Sequence, residues 1–240
     1  MSMRPAPKAI ATITPSGNRV VEPVTQGLCA AADVDSLFSR IQVHGDTASA
    51  SDYDWVGMVG AATLLSHAKP DVICWNGTKG GALGFDIDRR LVARITEVTG
   101  IAATTSALSI LDALDLLQAK SIALVTPYDE AYQAKCCAGF SGAGIRVSAE
   151  RHSNLLDNLS YASVTEDEIA EMTRAAVADS PCDAVVYFCT NLAGASVAPR
   201  LEAELGLPVL DSTAVGVWGA LKAANINTTP LARFGRVFGL

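Results

Sequence analysis

The segment AIATITP at positions 9–15 returns as SIALVTP at 121–127, and DVICWNGT at 71–78 returns as DAVVYFCT at 183–190. Both pairs stand 112 positions apart, so one register joins the copies over two separate stretches. A third echo sets Gly100-Ile101-Ala102 and Thr105-Ser106-Ala107 against Gly206-Leu207-Pro208 and Asp211-Ser212, after a few deleted residues. A chain duplicated in this way is constrained to two lobes of like design. Each repeated block is an apolar run that ends in small polar residues, as a buried strand does at its exit from a sheet. Two α/β lobes so related bring their strand ends to one cleft, where open α/β sheets bind ligands. There the first copy offers Gly77-Thr78 and the second offers Cys189-Thr190.

Short Val/Ile/Ala-rich runs at 10–13, 71–75, 101–104, 121–125, 145–148, 184–188 and 208–210 alternate with helical patterns, for instance 85–98 and 166–178. Strands alternating with helices imply parallel βαβ units, and continuous apolar strands suit a sheet covered on both faces. The expected architecture is α/β: two pseudo-symmetric, doubly wound parallel-sheet lobes with the active site between them. The expected division is 7–117, 118–225 and a crossover tail over 226–240. No Gly/Ser or Pro linker separates the halves, so the helix expected at 214–224 can complete a sheet begun elsewhere.

Half of the 240 residues are apolar and 18% are charged, enough to bury one large core or two adjoining ones. With 18 basic and 25 acidic residues the net charge is −7, which argues against nucleic acid and anionic membrane surfaces as partners. Residues 1–8 carry no apolar core of a signal peptide, and the longest apolar stretch, near Trp55 to Leu65, is too short and glycine-broken to span a bilayer. A cytoplasmic location is expected. The six cysteines show no C-x-x-C and no zinc spacing, so free buried thiols are the plain expectation and no metal or other cofactor is implied.

Cys189 ends a buried strand and is followed by Thr190-Asn191, after which helical residues resume; a strand-to-helix turn of that kind offers N–H groups to an anion or thiolate. Gly77-Thr78-Lys79-Gly80-Gly81 has the composition of an anion cradle, but not the order of a phosphate loop or a dinucleotide fingerprint. Pro15-Ser16-Gly17-Asn18 and Pro127-Tyr128-Asp129 follow equivalent strand ends, so Asn18 and Tyr128 are expected to overhang the cleft from opposite lobes. Cys74 lies three residues before Gly77, an odd number on a strand, and is expected to face away. His44, His67 and His152 show no pairing with cysteine or acidic residues at a useful spacing. Segments 24–35 and 155–164 are expected to be the loops that shape the pocket.

Together the Pro-Ser-x-Asn at the first strand end, Gly77-Thr78, Thr126-Pro127-Tyr128 and Cys189 resemble the aspartate/glutamate racemase superfamily, over nearly the whole chain. Within it the chain looks most like the maleate cis-trans isomerase and arylmalonate decarboxylase branch, and Phe234 to Phe238 is similar to the decarboxylase tail. The ectoine-utilisation A protein has a similar look. Racemases and maleate isomerases of this kind carry one cleft cysteine per lobe, whereas the decarboxylases have glycine at the first position, as Gly77 does. Asn18, Tyr128 and Asn158 match positions with which maleate isomerases hold a carboxylate, and Lys79 stands where the decarboxylases have a serine. The resemblance implies a cofactor-free enzyme acting on a small carboxylate or dicarboxylate, in a family where homodimers are common.

On that basis Thr78, Tyr128, Asn18, Asn158 and the N–H groups of Cys189 and Thr190 are expected to bind one carboxylate, with Pro15, Gly77 and Lys79 beside it. Cys189 then protonates an enediolate left by decarboxylation of a malonate-type acid. Maleate-type isomerisation by thiolate addition, and racemisation or epimerisation of a small carboxylate such as an ectoine-pathway intermediate, are the alternatives. A two-lobe binding protein without catalysis is the rival of a different class.

Overall fold

A computed structural model describes residues 7–43 and 52–240. His44 and residues 1–6 of the leading segment lie outside the described residues. Strands β1 (Ala9–Pro15), β2 (Asp35–Ile41), β3 (Val72–Trp75) and β4 (Ala103–Thr105) form a parallel sheet in the order β2-β1-β3-β4. Strands β5 (Ser121–Thr126), β6 (Arg146–His152), β7 (Ala184–Tyr187) and β8 (Val209–Asp211) form a second parallel sheet in the order β6-β5-β7-β8, against which α6 (Glu130–Gly142) and α7 (Glu166–Asp179) pack. The duplication in the sequence is thus a duplication of sheet topology.

The β2 segment DSLFSRI escapes a search for apolar runs because it is an edge strand, mostly half-buried and exposed at Asp35 and Arg40. The expected 24–35 loop is not one either. Helix α1 (Val21–Ala31) fills most of it, burying Val21, Thr25, Leu28 and Cys29 at helical spacing, before β2 begins. The 155–164 segment does run as loop with a short 3₁₀ turn at Ser160–Ser163.

Side chains of the first sheet alternate between two cores. Ala11, Ile13, Ile73 and Trp75 pack with α2 (Trp55–Ser66) and α4 (Asp86–Thr99), whereas Ile10, Val72 and Cys74 join a larger core that runs on into the second lobe. Helix α4 ends at Gly100 (φ 69°) and its repeat counterpart α8 (Ala198–Leu205) ends at Gly206 (φ 74°). Both glycines adopt the left-handed geometry that closes a helix at low steric cost.

Helix α5 (Ser106–Leu116) follows β4 directly, and α9 (Ser212–Ala223) follows β8 directly. Although α9 comes from the second half, it packs against α1, α5, β3 and β4 of the first. A Cβ on Gly216 would meet Ser106 Oγ at 2.3 Å and one on Gly219 would meet Ser109 Oγ at 2.0 Å, so glycine permits the close α5/α9 crossing. The last residues return to the second lobe, where the Arg236 guanidinium donates to the carbonyls of Glu202 and Gly206, each at 2.9 Å. We propose 7–117 and 118–225 as units of duplication, with 226–240 as the returning tail. Among the described residues no helix is long and apolar enough to cross a membrane.

Candidate active site

A cavity of about 200 Å³ opens where the C-terminal ends of β1 and β3 face those of β5 and β7. The first lobe contributes Pro15, Trp75, Gly77 and Thr78, the second Tyr128, Cys189 and Thr190, and the 155–164 loop adds Asn158 and Tyr161. Ile41, Val43 and Met58 give one part an apolar wall. Lys79 also reaches the cavity but is engaged: its Nζ donates to the Asp52 carbonyl at 2.7 Å and stands 6.0 Å from the Tyr53 ring centroid. Burial lowers the Lys79 pKa, and Asp52 opposes that shift.

Cys189 follows β7 and is 3% exposed. Burial pushes its thiol up to about 11, against the Tyr128 hydroxyl and the N–H groups of Asn191 and Leu192, which favour the thiolate; Asp211 adds to the rise. The Asn191 N–H points at Sγ at 3.4 Å. The helix expected directly behind Cys189 does not form there. The chain turns through 190–197 and α8 begins at Ala198, so no helix terminus stabilises the thiolate, and desolvation wins.

Around the thiol stand donors suited to an anion. Thr78 Oγ1 and Tyr128 OH lie 3.2 Å apart, so one donates to the other and the second hydroxyl hydrogen of the pair is left for the cavity. Tyr128 is wedged edge-on between Tyr132 and Tyr161, with ring centroids at 4.5 and 5.2 Å, which fixes its hydroxyl. Thr190 Oγ1 accepts from Asn18 Nδ2 at 3.3 Å and so keeps its own hydrogen free. Asn158 Nδ2 is buried with no partner among the described residues. Among the described residues, the N–H groups of Gly77, Thr78, Cys189 and Thr190 make no hydrogen bond. Donors converge from both lobes, as the duplication requires.

The cavity therefore brings together Pro15, Gly77, Thr78, Lys79, Tyr128, Asn158, Cys189 and Thr190. Asn18 stands one hydrogen bond behind it. Its Oδ1 accepts from Val20 and Val21 N–H at 2.8 and 2.9 Å, capping α1, while its amide orients Thr190. The glycine cradle divides: only Gly77 borders the cavity. A Cβ on Gly80 would fall 1.3 Å from Asp88 Oδ2, and one on Gly81 would fall 2.2 Å from the Phe188 ring, so these two serve close packing of α3 (Lys79–Leu83). Cys74 faces α9, its Sγ donating to the Gly216 carbonyl at 3.7 Å. His152 is paired after all, with Glu150 Oε2 at 2.8 Å across two residues of β6. Trp75, Tyr53, Tyr132 and Tyr161 line the cavity without having been singled out. Trp75 and its counterpart Tyr187 sit inside apolar repeats, where an aromatic reads as core. Among the described residues no group of three His, Cys, Asp or Glu is placed to hold a metal ion.

Residues 47–238 match the family model described as arylmalonate decarboxylase. The chain is 24% identical to the arylmalonate decarboxylase of Bordetella bronchiseptica over 156 residues, 65% of each chain. It is 26% identical to the maleate isomerase of Geobacillus stearothermophilus over 139 residues, 57% of this chain and 55% of that one. These alignments thus span less than two thirds of the relatives' own length. In three dimensions the chain is similar to a variant of the maleate isomerase Iso from Pseudomonas putida S16 crystallised with maleate, with a TM-score of 0.88 and 22% identity over 96% of this chain and 97% of that one.

Proposed function

This chain belongs to the arylmalonate decarboxylase family, and from that premise we propose that it decarboxylates a small malonate-type acid, without a cofactor and with Cys189 as the proton donor. One observation carries this reading. The cavity holds a single thiol, kept protonated by burial, and its repeat counterpart is Gly77, whose missing side chain would collide with Trp75.

In this mechanism Thr78, Tyr128, Thr190 and the free N–H groups of Cys189 and Thr190 bind one carboxylate. The other lies against Ile41, Val43 and Met58, where a poorly solvated anion is destabilised. The bond between that carboxylate and the central carbon breaks, carbon dioxide leaves, and the electron pair stays as an enediolate whose charge falls on the waiting donors. Each such donor is typically worth about 3–4 kcal/mol in the transition state. Cys189 then gives its proton to carbon. The resulting thiolate is met by the Asn191 N–H and the Tyr128 hydroxyl until water reprotonates it. With one acid on one side, the product is a single enantiomer, and a two-base racemase is disfavoured.

A second reading, maleate-type cis-trans isomerisation, is favoured by Asn158 at the cavity, whose amide nitrogen has no partner among the described residues and is of a type suited to holding a carboxylate without supplying charge. Proton NMR in deuterium oxide separates the two, using the protein and its Cys189→Ala variant with substituted malonates and maleate. Decarboxylation with one deuterium entering stereospecifically, lost in the variant, supports the first reading. Conversion of maleate to fumarate with no turnover of any malonate sinks it in favour of the second.

A further inference from the structure

The side chain of Asn191 has no part in the mechanism above, yet it is buried and both ends of its carboxamide are used. Oδ1 accepts from the Arg19 N–H of the first lobe at 2.8 Å. Nδ2 donates to the carbonyl of Asn158 in the 155–164 loop. The backbone N–H of the same residue is the one that points at Cys189 Sγ. One residue therefore ties together three segments: the turn after β1, the loop that carries Asn158 and the turn that carries the thiol. The loop meets the first lobe at that same turn, since a Cβ on Gly17 would fall 3.1 Å from Asn158 Nδ2.

The duplication gives this contact a counterpart. Lys79 stands 112 positions before Asn191, two residues after Gly77 as Asn191 is two after Cys189. Its Nζ donates to the Asp52 carbonyl. Asp52 lies between β2 and α2, and Asn158 between β6 and α7, which is the same place in the order of elements of each lobe. Both residues border the cavity. In each lobe, then, the residue two beyond the strand-end position donates to a main-chain carbonyl of the segment that walls the cavity. The two copies hold with different firmness. Lys79 is half-buried and gives up the freedom of a long side chain, whereas Asn191 is buried, short and satisfied as donor and acceptor at once.

We propose that Asn191 is a positioning residue that seats the 155–164 loop against the first lobe and so sets the place of Asn158 at the cavity. This rests on the reading of the cavity as a site for a small carboxylic acid. Asn191 does not itself line the cavity, so it acts through the loop it holds.

Asn191→Asp keeps the oxygen that the Arg19 N–H needs and removes the donor to the Asn158 carbonyl. Hydrogen exchange read by mass spectrometry should show peptides covering 153–163 exchanging about tenfold faster in the variant, the scale of one lost hydrogen bond, while peptides of β5 and β7 stay unchanged. Lys79→Met is the control for locality and should leave 153–163 as it was. Malonate and maleate are then titrated separately, followed by the backbone amides of Cys189 and Thr190 in nitrogen-15 spectra. The acid that binds the unaltered protein should bind Asn191→Asp about tenfold more weakly, and Asn191→Ala, which adds no charge, should weaken it at least as much. If exchange in the loop is unchanged, or rises equally in β5 and β7, the seating role is overturned. If the loop loosens and either variant binds the acid as tightly as before, the role at the site is overturned. If neither acid moves the two amides of the unaltered protein, the carboxylic acid reading falls, and the exchange comparison still decides whether Asn191 seats the loop. Should the variants fold poorly, the unaltered protein decides instead. Its Asn191 side-chain NH2 should exchange far more slowly than exposed carboxamides do, and a rate like theirs overturns the proposal.

Discussion

If Cys189 is an acid rather than a nucleophile, its thiol must stay protonated across the working pH range, and alkylation tests this directly. Burial moves the thiol from 9.0 to about 11. Two units leave about one thiolate in a thousand at pH 8, where an unperturbed thiol has about one in ten. A more basic thiolate is also a better nucleophile, and with a Brønsted slope of about 0.4–0.5 the same two units return nearly a factor of ten. The net slowing is therefore only about tenfold, which restricted access to a buried sulfur could mimic. The midpoint decides the matter, not the rate. Iodoacetamide labelling from pH 6 to pH 11, resolved by peptide mass spectrometry, should give a Cys189 rate that climbs about tenfold per pH unit up to at least pH 10. Cys137, half-buried and also raised to about 11, provides a comparison without a cavity. A plateau for Cys189 reached below about pH 8.5 would mean that Tyr128 and the Asn191 and Leu192 amides outweigh burial. The proton-donor mechanism would then lose its acid, and thiolate addition to a double bond would gain its nucleophile.

Gly77→Ala should destabilise the protein by about 1–3 kcal/mol in urea unfolding, because the new methyl overlaps a fixed indole. Combining it with Trp75→Leu should cost clearly less than the sum of the two single changes, and strict additivity would show that the contact is not the cause. Tyr128→Phe removes the hydroxyl shared with Thr78 and should cut turnover by about 10²–10³ with little change in melting temperature; unchanged turnover would remove Tyr128 from the donor set. Asn18→Asp keeps the oxygen that caps α1 but loses the donor to Thr190, so it should preserve stability and lower turnover, whereas Asn18→Ala should also lose about 1 kcal/mol of stability. Asp211 is buried and raised from 3.8 to about 7. The native state therefore binds more protons than the unfolded chain between those values, and this carboxyl lowers stability as pH rises from about 4 to about 7. Asp211→Asn retains the cap on α9 at Ala214 N–H and should remove part of that slope, read as melting temperature against pH; identical slopes would refute the shift.

The duplication made the two sheets legible because parallel strands buried on both faces are nearly pure apolar runs, as in 184–187. Edge strand β2 was not, since every side chain but that of Ile41 meets solvent at least in part and its pattern is that of a polar loop. The strand-end residues Gly77-Thr78 and Cys189-Thr190 could be placed at one cavity because repeat symmetry needs no knowledge of side-chain packing. Asn18 could be placed only approximately. A side chain three residues past a strand can overhang a cleft or turn back to cap the next helix, and the choice depends on where α1 starts. Trp75 and the Gly80 and Gly81 contacts were beyond reach for the same reason. They depend on which distant side chain fills a given volume, and local sequence does not encode that.

The exchange of α9 bears on how such a chain becomes a protein. Until residues 212–223 have been synthesised, the face of the first sheet that carries Ile10, Val72 and Cys74 has no α9 to cover it, although all of its strands are complete by residue 105. The first half therefore emerges as an unfinished sandwich, sticky on one side, and it must wait for contacts more than a hundred residues away. The same helix begins directly after Asp211, at the end of the strand beside the one that delivers Cys189. Closing the first lobe and assembling the candidate site are in this way one event, and no half of the chain can hold the site early.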